Sequence, residues 1–181
     1  PGVFERNLNR EQAVVFQAYP DVGIVDPRYN TGEILVELFS EMSGRLFLRV
    51  REELGLAYFV GASRISGIDS GMFYFCCGTH PDFHNQVGEE FDEEIRRVRS
   101  GKITENELRR CQRRLKAQKR MSLQTIGSCA MQAALNVTYS LPANDWSNYD
   151  ERIDSITTED LRKFAIDMLN PDRAVRLVVK P

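Results

Sequence analysis

Histidine is the side chain that most often ligates zinc or moves a proton near neutral pH, and this sequence has two, His80 and His84. Their run, His80-Pro81-Asp82-Phe83-His84, has the outer spacing of a zinc-binding H-x-x-x-H. The general-base glutamate that metalloproteases place inside that spacing is absent. Pro81 sets the pair at a helix start where His80 is not yet helical, so two exposed polar residues at a strand-to-helix turn are the simpler expectation. The cysteines are Cys76, Cys77, Cys111 and Cys129, with no C-x-x-C among them. Cys76 and Cys77 are neighbours in a strand-like run and point to opposite faces, which suits buried small hydrophobes better than a shared ion. There is no G-x-S-x-G, no G-x-G-x-x-G and no Walker loop. A nucleophilic triad and a nucleotide cradle are therefore unsupported.

The densest charge lies between Arg96 and Arg120, with Arg97, Arg99, Lys102, Arg109, Arg110, Arg113, Arg114, Lys116 and Lys119 between them. Such a run can lie along phosphates. Asp92, Glu93, Glu94, Glu105 and Glu107 lie close by, and no aromatic residue interrupts it, so a salt-bridged helix face is the more economical account.

The most distinctive segment runs Ser43-Gly44-Arg45-Leu46-Phe47-Leu48-Arg49-Val50-Arg51-Glu52-Glu53-Leu54-Gly55-Leu56-Ala57-Tyr58. It resembles the S/G-R-L-F…R-E-x-x-G-L-A-Y signature of the insulinase (pitrilysin, mitochondrial processing peptidase) family of zinc metallopeptidases. The similarity is to the C-terminal, non-zinc-binding half of its shorter members, and the Glu105–Lys116 and Thr157–Leu161 stretches fall in the matching order. In that family two related α/β domains face each other across a chamber. One carries an inverted zinc motif, H-x-x-E-H, and activates the water. The other supplies an arginine and a tyrosine, which match Arg51 and Tyr58 here. The resemblance thus implies an auxiliary catalytic and substrate-binding pair, Arg51 and Tyr58, with no metal in this chain and zinc in a homologous partner domain or subunit. Lacking H-x-x-E-H, the chain is expected to be hydrolytically inert alone.

The chemistry of the two side chains suits that assignment. A phenol hydroxyl can donate to a scissile carbonyl as negative charge develops on it, and a guanidinium fork suits neighbouring backbone carbonyls. The competing expectation is that Arg51 pairs with a carboxylate and Tyr58 packs at a helix–strand junction.

The elements that must position this pair follow from periodicity. Gln12–Tyr19 reads as a strand ending at Pro20. Leu35, Leu38, Met42 and Leu46 make an apolar stripe within a helical stretch from about Tyr29 to Leu54, bent or divided at Gly44, with Gly55 as its C-cap. Ala57–Ile65 and Gly71–Gly78 form a hairpin around Gly67. A helix follows Pro81 and closes at Gly101. Thr104 with Glu107 opens another by a capping box, reaching about Tyr139 with a break near Gly127. Thr157 with Asp160 caps a further helix, Asn170-Pro171 stops it, and Ala174–Val179 is a last strand. Strands at both ends and a hairpin in the middle predict an α+β two-layer sandwich, a largely antiparallel sheet with helices packed on one face.

Length and charge bound the remaining choices. The chain has 181 residues, 42% of them hydrophobic, and a net charge of −2. That suits one domain spanning residues 1–181. The start at Pro1 suggests an excised piece, and the resemblance implies the C-terminal half of a larger two-domain peptidase chain or subunit. No apolar run approaches the ~18 residues of a membrane span, and no global positive field argues for nucleic acid. The expected partners are the zinc-binding domain and a peptide, with no nucleic acid and no membrane. A chamber-facing surface without its cover also allows a homodimer of the isolated domain. A soluble protein of the bacterial cytoplasm or periplasm is the setting the resemblance favours. A non-catalytic scaffold or pseudo-peptidase is the alternative, and a nucleic-acid module using Arg96–Arg120 ranks third.

Overall fold

The alternation that begins at Ala13 becomes strand β2 (Ala13–Val22), in which every odd-numbered residue from Ala13 to Asp21 is buried. This is seen in a computed structural model, which describes residues 1–40 and 42–181. The hairpin forms as expected from β3 (Ala57–Ser66) and β4 (Ser70–Thr79), closed by the Gly67 N–H donating to the Ser70 carbonyl at 2.9 Å. With β1 (Gly2–Asn7) and β5 (Val175–Lys180) these strands make one sheet in the order β1-β5-β2-β4-β3. Only the β1–β5 pair is parallel. β1 has no burial pattern at all, every residue being exposed, and the sequence reading does not foresee it.

Among the described residues six α-helices follow the chain order: α1 (Tyr29–Ser40), α2 (His84–Arg99), α3 (Glu105–Ser122), α4 (Ile126–Thr138), α5 (Tyr149–Ser155) and α6 (Thr158–Met168). Both expected capping boxes are present, Thr104 with Glu107 on α3 and Thr157 with Asp160 on α6. The helices supply Leu35, Leu38 and Phe39 from α1, Phe91 and Ile95 from α2, and Phe164 from α6 to a core shared with Val15, Tyr19, Phe73 and Phe75. Phe75 sits at its centre, 5.0 Å from the Phe39 ring and 5.4 Å from Phe91. Each such fully buried side chain contributes roughly 2–3 kcal/mol of transfer free energy.

The opposite sheet face carries no helical layer among the described residues. Val14, Phe16 and Ala18 of β2 face Leu177 and Val179 of β5 and Tyr74 and Cys76 of β4 there, all only half-buried. Phe4, Phe59 and Ile65 extend the same apolar surface and are exposed.

The long helical stretch is divided before Gly44, as expected, and differs from expectation in its π-helical second part and in the place of Met42. α1 ends at Ser40, and after a turn at Met42–Gly44 the chain enters a π-helix, Phe47–Glu53. Met42 is 78% exposed and so leaves the apolar stripe, whereas Leu35, Leu38 and Leu46 are fully buried. The expected stretch also crosses Glu41, which lies outside the described residues. Farther on, the break foreseen near Gly127 falls at Leu123–Thr125, where Thr125 caps α4.

Candidate functional site

The π-helix is where the signature segment departs from an ordinary helix. Its wider turn is seen in the Leu54 N–H, which donates to the Arg49 carbonyl five residues back at 3.1 Å. Two arginines, Arg45 just before it and Arg49 within it, are clamped onto the helical layer. Arg45 meets Glu107 of α3 through Nε at 2.8 Å and Nη2 at 3.0 Å, and its Nη2 also reaches the Lys102 carbonyl. Arg49 meets Glu90 of α2 through Nε at 3.0 Å and Glu53 through Nη1 at 3.0 Å. Leu46 and Val50, each one residue from these arginines, are fully buried.

Arg51 faces elsewhere. It is exposed, and its guanidinium lies 5.1 Å from the centroid of the Phe47 ring, one turn earlier. Among the described residues it has no carboxylate partner. The competing expectation of an Arg51 ion pair is thus not what the structure presents.

After the π-helix, Gly55 turns the chain with φ +63°, and no atom would lie within 4 Å of an added Cβ. Glycine is required there by backbone conformation alone. The next carbonyl, Leu56, accepts a 2.6 Å hydrogen bond from the buried Thr79 hydroxyl, which ties the turn to β4. Ala57 then pairs with Thr79, and Phe59 pairs with Gly78, so Tyr58 is an extra residue in the ladder. This β-bulge resets the pleat: Ala57 and Val60 both pack toward the core, while Tyr58 and Phe59 between them are 55% and 47% exposed. The Phe59 ring lies over Gly78, where a Cβ would come within 2.3 Å of it. Tyr58 makes no side-chain hydrogen bond among the described residues. Among the described residues the structure therefore leaves the arginine and tyrosine of the signature without a polar side-chain partner, on either side of one tight turn.

β3 is also an edge of the sheet. Farther along it, the Ser40 hydroxyl accepts from the Ala62 N–H at 2.6 Å and donates to the Ala62 carbonyl at 2.7 Å. The helix end thereby closes that part of the edge.

Against known proteins, residues 1–115 match the family described as the peptidase M16 inactive domain. The chain belongs to that family. An uncharacterized zinc protease of Streptomyces coelicolor is 29% identical over 163 residues, covering 88% of this chain and 35% of the relative. The zinc protease YmxG of Bacillus subtilis, also uncharacterized, is 29% identical over 144 residues, covering 78% and 34%. The chain thus spans about a third of the length of these curated relatives. Among solved structures, a protease from Helicobacter pylori superposes with a TM-score of 0.90 at 16% identity, covering 99% of this chain and 44% of that one. A peptidase M16 inactive domain from Pseudomonas fluorescens gives 0.84 at 19% identity, covering 99% and 43%. At these identities the structures speak for the M16 inactive-domain fold, which is the α+β sandwich expected from the sequence.

Among the described residues no group of three or more His, Cys, Asp or Glu is placed to hold a metal ion. His80 caps the 3₁₀ turn Pro81–Phe83, its Nδ1 accepting from the Asp82 N–H at 3.3 Å, and the His84 Nδ1 lies 2.6 Å from the Pro81 carbonyl. Both are accounted for by the strand-to-helix turn. Cys77 is fully buried and Cys76 lies on the bare sheet face; burial pushes their thiols up to about 12 and about 11, away from thiolate chemistry.

Part of the basic run is neutralised locally. Arg96 and Arg97 pair with Glu93, Arg114 with Glu37, Lys116 with Asp154 and Arg120 with Asp150. Arg99 donates to the Leu169 carbonyl at the end of α6. No helix of the described residues is long and apolar enough to cross a membrane.

Proposed function

We propose that this chain is the substrate-binding, zinc-less half of a zinc metalloendopeptidase, in which Arg51 and Tyr58 act on a peptide held against a zinc-binding partner domain. The observation that carries this reading is the bulged, exposed Tyr58 set across the Gly55 turn from an Arg51 that has no carboxylate. Arg45 and Arg49 are clamped by carboxylates, whereas Arg51 lies over Phe47 and Tyr58 makes no side-chain hydrogen bond among the described residues, which leaves both side chains available to a ligand outside the domain. The Tyr58 hydroxyl donates to the carbonyl oxygen of the scissile peptide as it becomes an oxyanion, and the Arg51 fork holds the backbone carbonyls beside it. The open part of the β3 edge, at the Tyr58 end, supports docking of an extended peptide through its backbone. The bare apolar face of the sheet is the surface the partner domain covers.

The test is reconstitution. Peptide hydrolysis and zinc content are measured for this chain alone, for the zinc-binding partner alone and for the two together. The expected result is zinc in the partner, no turnover from this chain alone, and full turnover only from the pair. A pair that binds no zinc and cleaves no peptide replaces this reading with a scaffold or pseudo-peptidase.

A further inference from the structure

Far from the signature segment, a cavity of about 220 Å³ opens between α1, α4 and the turn before α5. Aromatic rings contribute to its walls, Tyr29, Tyr139, Trp146 and the buried Tyr149. Two charged groups reach it and meet the same ring. The Glu33 carboxylate accepts from the Tyr149 hydroxyl at 3.3 Å and from the Asn30 amide at 2.6 Å. The Lys119 ammonium lies 5.2 Å from the Tyr149 ring centroid.

Among the described residues neither charge has an opposite partner, because Glu33 is held by neutral donors and Lys119 by a π face. The other charges lining the cavity are already neutralised: Asp26 pairs with Arg28 at 3.0 Å, and Arg152 pairs with Asp145 at 2.7 Å. Burial, and then the Glu33 charge, push the Tyr149 hydroxyl upward, so it stays protonated and keeps donating to that carboxylate. A simple cation would satisfy Glu33 but meet Lys119, and a simple anion would do the reverse. A ligand carrying both charges satisfies both groups, and the aromatic walls favour an apolar remainder.

We infer that this cavity binds a small zwitterion, an α-amino acid with an apolar side chain, its ammonium toward Glu33 and its carboxylate toward Lys119. The site is separate from Arg51 and Tyr58, and the inference does not depend on the peptidase reading.

Trp146 is the single tryptophan of the 181-residue chain, so its fluorescence reports the cavity directly. The chain is titrated with L-leucine, with L-leucinamide, which lacks the carboxylate, and with 4-methylpentanoate, which lacks the amine. The expected result is a saturable change with leucine and about tenfold or weaker binding of each analogue, since each loses one charge-assisted hydrogen bond. Glu33→Gln then removes the preference for leucine over 4-methylpentanoate, and Lys119→Met removes the preference over leucinamide, with circular dichroism confirming the fold. No saturable change with leucine, or equal affinity for the three probes, overturns the proposal. The three-probe comparison uses the unsubstituted chain, so it decides even where a variant fails to fold.

Discussion

Tyr58 and Arg51 lack polar partners among the described residues for different local reasons, one because a ladder slips by a residue and the other because its guanidinium lies over Phe47, away from the carboxylates that hold Arg45 and Arg49. The signature motif singled out the pair and its chemistry could be argued, but its lack of polar partners could not be read, because Glu52 and Glu53 adjoin Arg51 in the sequence and either is a candidate on paper. A guanidinium fork stacked on Phe47 is not replaceable by a point charge, so Arg51→Lys is expected to lower peptide turnover nearly as far as Arg51→Ala. Recovery of wild-type turnover by the lysine would show that charge alone matters. Elsewhere, the Arg64 guanidinium is 5% exposed and meets the fully buried Asp21 at 2.5 Å beneath α1, where Gly32 makes room for it. Asp21→Ala leaves that charge buried and unpaired, and urea unfolding is expected to show a loss of about 3–5 kcal/mol. A loss below about 1 kcal/mol would mean that the hydrogen bond to the Tyr29 carbonyl and the Tyr29 ring hold Arg64 without its partner.

At the scale of elements, the caps and hairpin could be read from short-range patterns because local hydrogen bonding decides them: Thr104 and Thr157 with their acids, Gly67 in its turn, Gly55 at its positive φ. The π-helix, the bulge and β1 could not, since each depends on what lies across from it. Removing residue 58 would restore a regular pleat, with Ala57 inward, Phe59 outward and Val60 inward. A chain with Tyr58 deleted is therefore expected to unfold within about 1 kcal/mol of the original while losing its contribution to turnover. Marked destabilisation would make the bulge a folding requirement. The α3 capping box also sets an acid limit. Burial alone would raise the Glu107 carboxyl, but the Arg45 guanidinium and the Thr104 donors outweigh it and hold the group at about 2, below its ordinary 4.5. A lowered folded value means stability that is present above pH 4.5 and lost as pH falls toward 2. Glu107→Gln should cost on the order of 2 kcal/mol at neutral pH and almost nothing at the acid end, flattening the acid limb of the unfolding curve. An unchanged limb would assign acid sensitivity to other carboxylates.

For the molecule as a whole, the two-layer architecture with helices on one face was legible because the hairpin and the terminal strands point to one largely antiparallel sheet, while the residues of the bare face were not, because a single strand does not say which of its sides a helix covers. That face has Phe16 near its middle, half-buried between Leu177 and Cys76. Phe16→Asp is expected to weaken association with the zinc-binding partner more than tenfold, read by sedimentation, while the thermal midpoint of the isolated chain moves little; unchanged association would place the partner elsewhere. The central claim, that Tyr58 assists a reaction completed across that interface, is tested most directly by kcat for Tyr58→Phe in the assembled enzyme, with bound zinc assayed in the same sample. Removing one hydroxyl should cost about 10²-fold in kcat, with little change in KM and full zinc occupancy. An unchanged kcat in a zinc-loaded assembly would contradict the account and leave Tyr58 a feature of the fold alone.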